Sequence, residues 1–202
     1  SQARFMSLSP QARELFDLNR ETPETRKRYG PKQLGQSALL ARRLVEGGVR
    51  TVLVRFKGWD HHERIARAMT YGFPPKLEAL DQAVTALHED LARRGLDERV
   101  TVVLASEFGR TPRINPRGGR DHWARASSVL LFGGGVRRGV VVGKTDANGE
   151  APIERPVSPA DLFCTLLGAL GADLEQVQHT PDGRPVRTVN ESAKPIHELL
   201  QS

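Results

Sequence analysis

The sequence predicts an α/β chain with a mostly parallel sheet and flanking helices, on three observations. A β-branched, apolar run at residues 49–56 is followed by a helical stripe from Leu77 to Leu91, and then by a second apolar run at residues 100–104. Strand, helix and strand in that order make a βαβ unit, whose strands are parallel with both carboxyl ends at one edge. Each run leads into a cluster of polar residues, and open α/β sheets bind ligands in the crevice outside the carboxyl ends of their strands.

Residues 1–30 are polar and broken by Pro10, Pro23 and Gly30, with one short amphipathic stretch from Ala12 to Leu18; they read as a peripheral segment. From Lys32 to Glu46 the apolar Leu34, Ala38, Ala41, Leu44 and Val45 recur at helical spacing, and Gly47-Gly48 supplies the stop. Val49 to Phe56 is the first strand and ends at Gly58-Trp59-Asp60. Leu77, Leu80, Val84, Leu87 and Leu91 form the stripe of a core-facing helix closed by Gly95. Val100 to Leu104 is apolar enough to be buried on both faces. Two further strands, 127–132 and 139–143, flank the turn Gly133-Gly134-Gly135. Ser158-Pro159-Ala160-Asp161 starts a helix, with a serine cap, proline at the first helical position and an acid near the positive end of the dipole. From Asp173 the tail is polar, turns at Pro181-Asp182-Gly183 and closes with a short helix near Ile196 to Leu200. One domain over residues 1–202, with a tail from 173, is the expected organisation.

With 38% hydrophobic and 27% charged residues the chain has the composition of a globular protein with one core. No stretch approaches the roughly 18 apolar residues of a membrane span. The single cysteine, Cys164, lies in an apolar run and reads as a small buried hydrophobe. The net charge is +6, with arginines grouped as Arg110, Arg113, Arg117, Arg120 and Arg125. An aromatic content of 5% and the lack of a recognition-helix, zinc-finger or ribonucleoprotein motif argue against a nucleic-acid partner. A solvated surface, a polyanion contact, or a small anion held by guanidinium forks each accounts for the arginines.

Three segments carry the chemistry: Gly58-Trp59-Asp60-His61-His62, Ser106-Glu107-Phe108-Gly109-Arg110-Thr111-Pro112 and Gly119-Arg120-Asp121-His122-Trp123. Asp60 and His62 offer a carboxylate oxygen and an imidazole nitrogen to one cation, a donor set that suits zinc, manganese or iron better than calcium. Taken alone, an Asp that caps a turn beside an exposed His62 is the plainer reading. Glu107, next to an apolar strand, is either a ligand or the partner of an arginine such as Arg110. His122 sits beyond two glycines that let the backbone turn it inward, and Asp121 is a further ligand or the acceptor that orients it. His88, His179 and His197 read as surface residues. No nucleophile elbow, phosphate-binding loop or dinucleotide fingerprint is present, so acyl transfer, nucleoside triphosphate hydrolysis and hydride transfer have no support.

At these same residues the chain resembles the bacterial proteins known as domain of unknown function 1501, within the alkaline phosphatase and sulfatase superfamily. The resembling segments are Tyr29 to Arg50, Gly58-Trp59-Asp60 with His62, Ser106 to Pro112, Gly118 to Trp123 and Arg155 to Leu162. The resemblance implies a doubly wound, mostly parallel α/β sheet whose loops hold one or two divalent metals, zinc foremost with manganese, iron, magnesium or calcium as alternatives. It implies a hydrolase acting on sulfate or phosphate esters, with Asp60, His62 and His122 in one metal site and Glu107 in the place of the superfamily's second-site aspartate. In such a site Arg110, Arg113 and Arg120 are the residues expected to grip the anionic group. Phe108 stands where the superfamily places a second-site histidine. The resemblance covers the C-terminal half of the family's full-length proteins, without the half that supplies the nucleophile. An incomplete fold, export to the periplasm or beyond, and a catalytically silent metal- or anion-binding scaffold are the accompanying expectations.

Overall fold

The structure, a computed structural model, describes residues 10–201; the first nine residues of the expected N-terminal segment and Ser202 lie outside the described residues. The chain divides into two compact units, Ser1–Leu96 with Asn115–Gly119, and Asp97–Ile114 with Arg120–Ser202.

The first unit is helical, with helices Pro10–Phe16, Pro23–Tyr29, Gln33–Glu46, Ile65–Arg67 and Pro74–Arg93. Thr22 caps the second by accepting from Thr25 N at 3.1 Å, and Pro23 fills its first turn, where a missing N–H costs nothing. The two long helices appear where their apolar spacing places them; the first buries Leu34 and Ala38 of its stripe, and the second buries a face shifted from most of its leucines. Ala79, Ala83, Ala86, Asp90 and Leu91 are the buried residues of Pro74–Arg93, whereas Leu77 is 51% exposed. Leu80 and Leu87 flank a core of Tyr29, Leu34, Ala38, Leu39, Ala83 and Ala86. Small side chains on the facing stripes let the helices approach closely, and the larger leucines close the edges of the contact. Gly35 serves the same packing: a Cβ there would lie 1.9 Å from the carbonyl oxygen of Tyr29.

Two charged groups, Arg42 and Asp90, are buried beside this core. Arg42 is 1% exposed, at the position one turn beyond Ala38. It meets Glu21 at 2.8 Å, Glu46 at 2.7 Å and Asp90 at 2.9 Å. Asp90 also accepts from Tyr29 Oη at 3.1 Å and Arg94 Nε at 3.0 Å. Burial opposes ionisation of Glu21, but hydrogen bonds from Arg42 and Arg43 overcome it and hold the carboxyl below the ordinary carboxylate range. Burial and the neighbouring Asp90 push the Tyr29 phenol upward. A buried charge is tolerated when it is paired; here three carboxylates surround one guanidinium, whose Nη1 donates to Glu46 at 2.7 Å.

The parallel sheet expected from the sequence is not found among the described residues. Residues 51–56 alternate exposed and half-buried, with Val52, Val54 and Phe56 on the inner side, but they join no ladder. Val54 and Phe56 pack on the helical core instead. Among the described residues the ladders are short, antiparallel and in the second unit. They pair β1 (Thr101–Leu104) with β4 (Leu130–Gly133), β2 (Gly109–Arg110) with β3 (His122–Trp123), β5 (Lys144–Thr145) with β6 (Pro152–Glu154), and β7 (Val177–His179) with β8 (Pro185–Arg187). The architecture is thus mixed helix and short antiparallel strands rather than a doubly wound βαβ sheet. The cause is the partner that β1 takes: Thr101 to Leu104 aligns with Gly133 to Leu130 in reversed direction, which needs no crossover helix. β1 is also only half-buried, with Val103 37% exposed. Residues 139–143 form no strand, and Val141 is 92% exposed.

Helix Pro159–Ala169 begins with a full capping box, Ser158 Oγ accepting from Asp161 N at 3.1 Å and Asp161 accepting from Ser158 N at 2.9 Å. The other oxygen of Asp161 accepts from Lys194 N at 2.8 Å, and Thr165 Oγ1 accepts from Ile196 N at 2.8 Å. Those two bonds fasten the polar tail to the helix, which ends in the short turn His197–Leu199. Cys164 is buried and its thiol is pushed up by burial.

Candidate metal centre

In the first unit, residues 58–62 form a turn held by aromatic packing. Gly58 takes a φ of 92°, which a side chain would resist. Trp59 is gripped between Phe56, at 5.5 Å, and Phe73, at 5.3 Å, and the Lys76 ammonium lies 5.6 Å over its ring. The same ammonium donates to the carbonyls of Lys57 and Gly58. His61 turns aside to meet Phe73 edge-on at 4.9 Å. His62 Nε2 lies 3.0 Å from Asp60 Oδ1, the two side chains being 34% and 58% exposed. Asp60 is therefore partnered with the histidine, beyond a simple turn-capping role.

The loop Asn115–Gly119 closes against the residues that follow. Glu63 and Gly118 form an antiparallel bridge, Arg64 N donates to Arg117 O at 3.3 Å and Ile65 N donates to Gly118 O at 2.7 Å. Arg64 reaches this pairing in the left-handed region, at φ 50°, a conformation that costs a non-glycine residue of order 1 kcal/mol or more. A Cβ on Gly119 would sit 2.1 Å from the carbonyl carbon of His62, so only glycine fits there.

In the second unit, the β2–β3 hairpin pairs Arg110 with His122 and Gly109 with Trp123. Phe108 stacks on the His122 ring at 4.0 Å, and the Arg110 guanidinium lies 5.6 Å over Phe108. Trp123 Nε1 donates to Glu150 O at 2.7 Å, and Arg125 covers the indole at 5.6 Å. Thr111 N donates to Asp121 O at 2.9 Å, and Asp121 N donates to Thr111 Oγ1 at 3.0 Å, which fixes the backbone beside His122.

In the first unit Asp60 and His62 offer a carboxylate oxygen and an imidazole nitrogen side by side, and in the second unit His122 offers a further imidazole. Carboxylate oxygen and imidazole nitrogen are donors of the kind that suit zinc. Asp60 and His122 are exposed and His62 is half-buried. Glu107 is exposed rather than buried behind a strand. Among the arginines, Arg120 donates to the carbonyls of Thr111 at 2.6 Å and Pro112 at 2.5 Å, so it braces the loop. Arg113 is exposed and lies 3.3 Å from Glu150. His88, His179 and His197 are exposed, as their sequence settings imply. Sequence reasoning passed over Asn115, whose Asn-Pro signal reads only as a turn, and Arg42, whose place on the helical stripe was legible from its spacing to Ala38.

Residues 1–200 match the family model described as protein of unknown function (DUF1501). The chain belongs to this family. No curated protein and no solved structure matches it. Membership agrees with the resemblance carried by the Gly58–His62, Ser106–Pro112 and Gly118–Trp123 segments. Among the described residues, no helix is long and apolar enough to cross a membrane.

Proposed function

We propose that this chain holds one divalent metal ion through Asp60, His62 and His122, zinc being the best fit, and that it acts on sulfate or phosphate esters as a metal-dependent hydrolase domain. The observation that carries the metal reading is the Asp60–His62 pair, with His62 Nε2 and Asp60 Oδ1 at 3.0 Å and both side chains partly exposed. The substrate class rests on the superfamily resemblance of the same segments and on the arginines of the 106–125 region. A bound ion would supply Lewis-acid polarisation of a sulfuryl or phosphoryl oxygen. Arg113, exposed and held only by a surface pair with Glu150, can swing to an anionic group. Arg110 offers its guanidinium from above Phe108, and Arg120 keeps the loop in shape while presenting positive charge.

A second reading is favoured by Phe108. Its ring covers one face of His122 at the position where the superfamily would offer another ligand, which supports a domain that binds metal or anion without turnover. The test is elemental mass spectrometry on the purified chain before and after chelation, beside His62→Ala and His122→Ala, followed by a screen of sulfate and phosphate monoesters on the metal-loaded protein. About one tightly held ion, lost in both variants, supports the centre. Unchanged stoichiometry in both variants would remove it, and a retained ion with no ester turned over would select the second reading.

A further inference from the structure

We infer that Asn115 is the positioning residue of this centre: its carboxamide sets the backbone of His62 and so aims the imidazole. The inference rests on the metal reading above for its functional meaning, and on the geometry of the first unit for its structural content.

The side chain of Asn115 works in two directions. Its Oδ1 accepts from Arg117 N at 3.0 Å and from Gly119 N at 2.9 Å. Its backbone closes the same loop, with Asn115 N donating to Gly119 O at 2.8 Å and Gly118 N donating to Asn115 O at 2.9 Å. Because two backbone N–H groups face Oδ1, the amide orientation is fixed: the reversed rotamer would set NH₂ against both donors. That leaves Nδ2 pointing out of the loop, where it donates to His62 O at 2.9 Å, across 53 positions of sequence.

The contact falls on the ligand residue itself. Gly119, folded back by the same carboxamide, packs on the His62 carbonyl so closely that a Cβ would lie 2.3 Å from its oxygen. Bond and close packing together fix the peptide that follows His62, and a histidine with a fixed backbone has only two side-chain torsions left to order. Partners that orient a ligand from outside the coordination sphere are worth about 10- to 100-fold in metal affinity.

The test uses Asn115→Asp, which keeps an oxygen for Arg117 N and Gly119 N but removes the donor to His62. Asn115→Ser is a second variant: its hydroxyl can hold the turn more weakly and is too short to reach His62. Folding is checked by circular dichroism, so that one folded variant suffices. Two readouts are taken: cobalt(II) affinity with its visible spectrum, and the ring carbon and nitrogen shifts of His62 in the metal-free protein. We expect cobalt affinity about tenfold weaker with an altered spectrum, and His62 ring signals that move while those of His88 and His197 stay. Wild-type affinity, spectrum and His62 shifts in a folded variant would overturn the role of Asn115. If the wild-type protein takes up no cobalt, the metal reading fails by itself. The His62 shifts then decide the positioning role separately: moved signals support it and unmoved signals overturn it.

Discussion

Replacing Arg42 by methionine tests how the helical unit is held together. The guanidinium is 1% exposed and contacts three carboxylates between 2.7 and 2.9 Å. Removing one partner of a buried ionic group costs about 3–5 kcal/mol, because the remaining charge is left uncompensated. Here compensation survives in part: Glu21 keeps Arg43, Asp90 keeps Arg94 and the Tyr29 hydroxyl, and Glu46 keeps Arg94 at 2.8 Å. Methionine also refills much of the volume. The lower end, about 3 kcal/mol, is the expected loss, equivalent to a fall in Tm of roughly 6–12 °C for a chain of this size. Urea denaturation followed by far-UV circular dichroism at pH 7 measures it. Adding Asp90→Leu should recover part of the loss, since the double variant no longer buries a carboxylate that has lost one of its two cationic partners. A loss below about 1 kcal/mol, the worth of a surface pair, would refute the claim that this network is a buried, mutually compensated unit.

Acid should weaken the same unit: Glu21 has its carboxyl lowered in the folded chain, so its contribution is fully present above the unfolded value of about 4.3 and is lost as pH falls below it. Glu21→Gln should flatten that part of the Tm–pH curve, and an unchanged curve would contradict the assignment. Asp161→Ala removes half of the capping box and the acceptor for Lys194 N; a stability loss of about 1 kcal/mol should accompany faster proteolysis around residues 190–196, and equal cleavage rates would show that the tail is held by other means. Cys164, 2% exposed with its thiol raised by burial, should react with a thiol reagent at pH 8 only in denaturant, and rapid labelling of the folded chain would place it elsewhere.

Helix boundaries were legible in the sequence because their signals are local. Ser158-Pro159-Ala160-Asp161 folds its own cap, and Gly95 at φ 65° ends its helix within a few bonds. Which face of a helix is buried depends on the neighbour, so Leu77 counted toward the stripe yet lies outside, while Arg42 and Asp90 lie inside. Strand pairing is less legible still, since Val100 to Leu104 reads the same whether its partner runs parallel or antiparallel. The candidate ligands were visible because Asp60, His62 and His122 combine metal-binding side chains with glycine-bearing turns. Asn115 was not, since its partner is 53 positions away.

That separation also bears on the order in which the chain acquires its parts. A loop of this length has to close before Gly118 can bridge to Glu63, and contacts distant in sequence form late because their closure entropy comes first. During synthesis, Asp60 and His62 exist for the time needed to make some fifty more residues before Asn115 can bond the His62 carbonyl, and His122 follows Gly119 only three positions later. The last segment needed to aim the histidine is therefore followed almost at once by the last candidate ligand, so a nascent or nicked chain lacking residues 115–122 would offer a passing cation only a loose, incomplete pair.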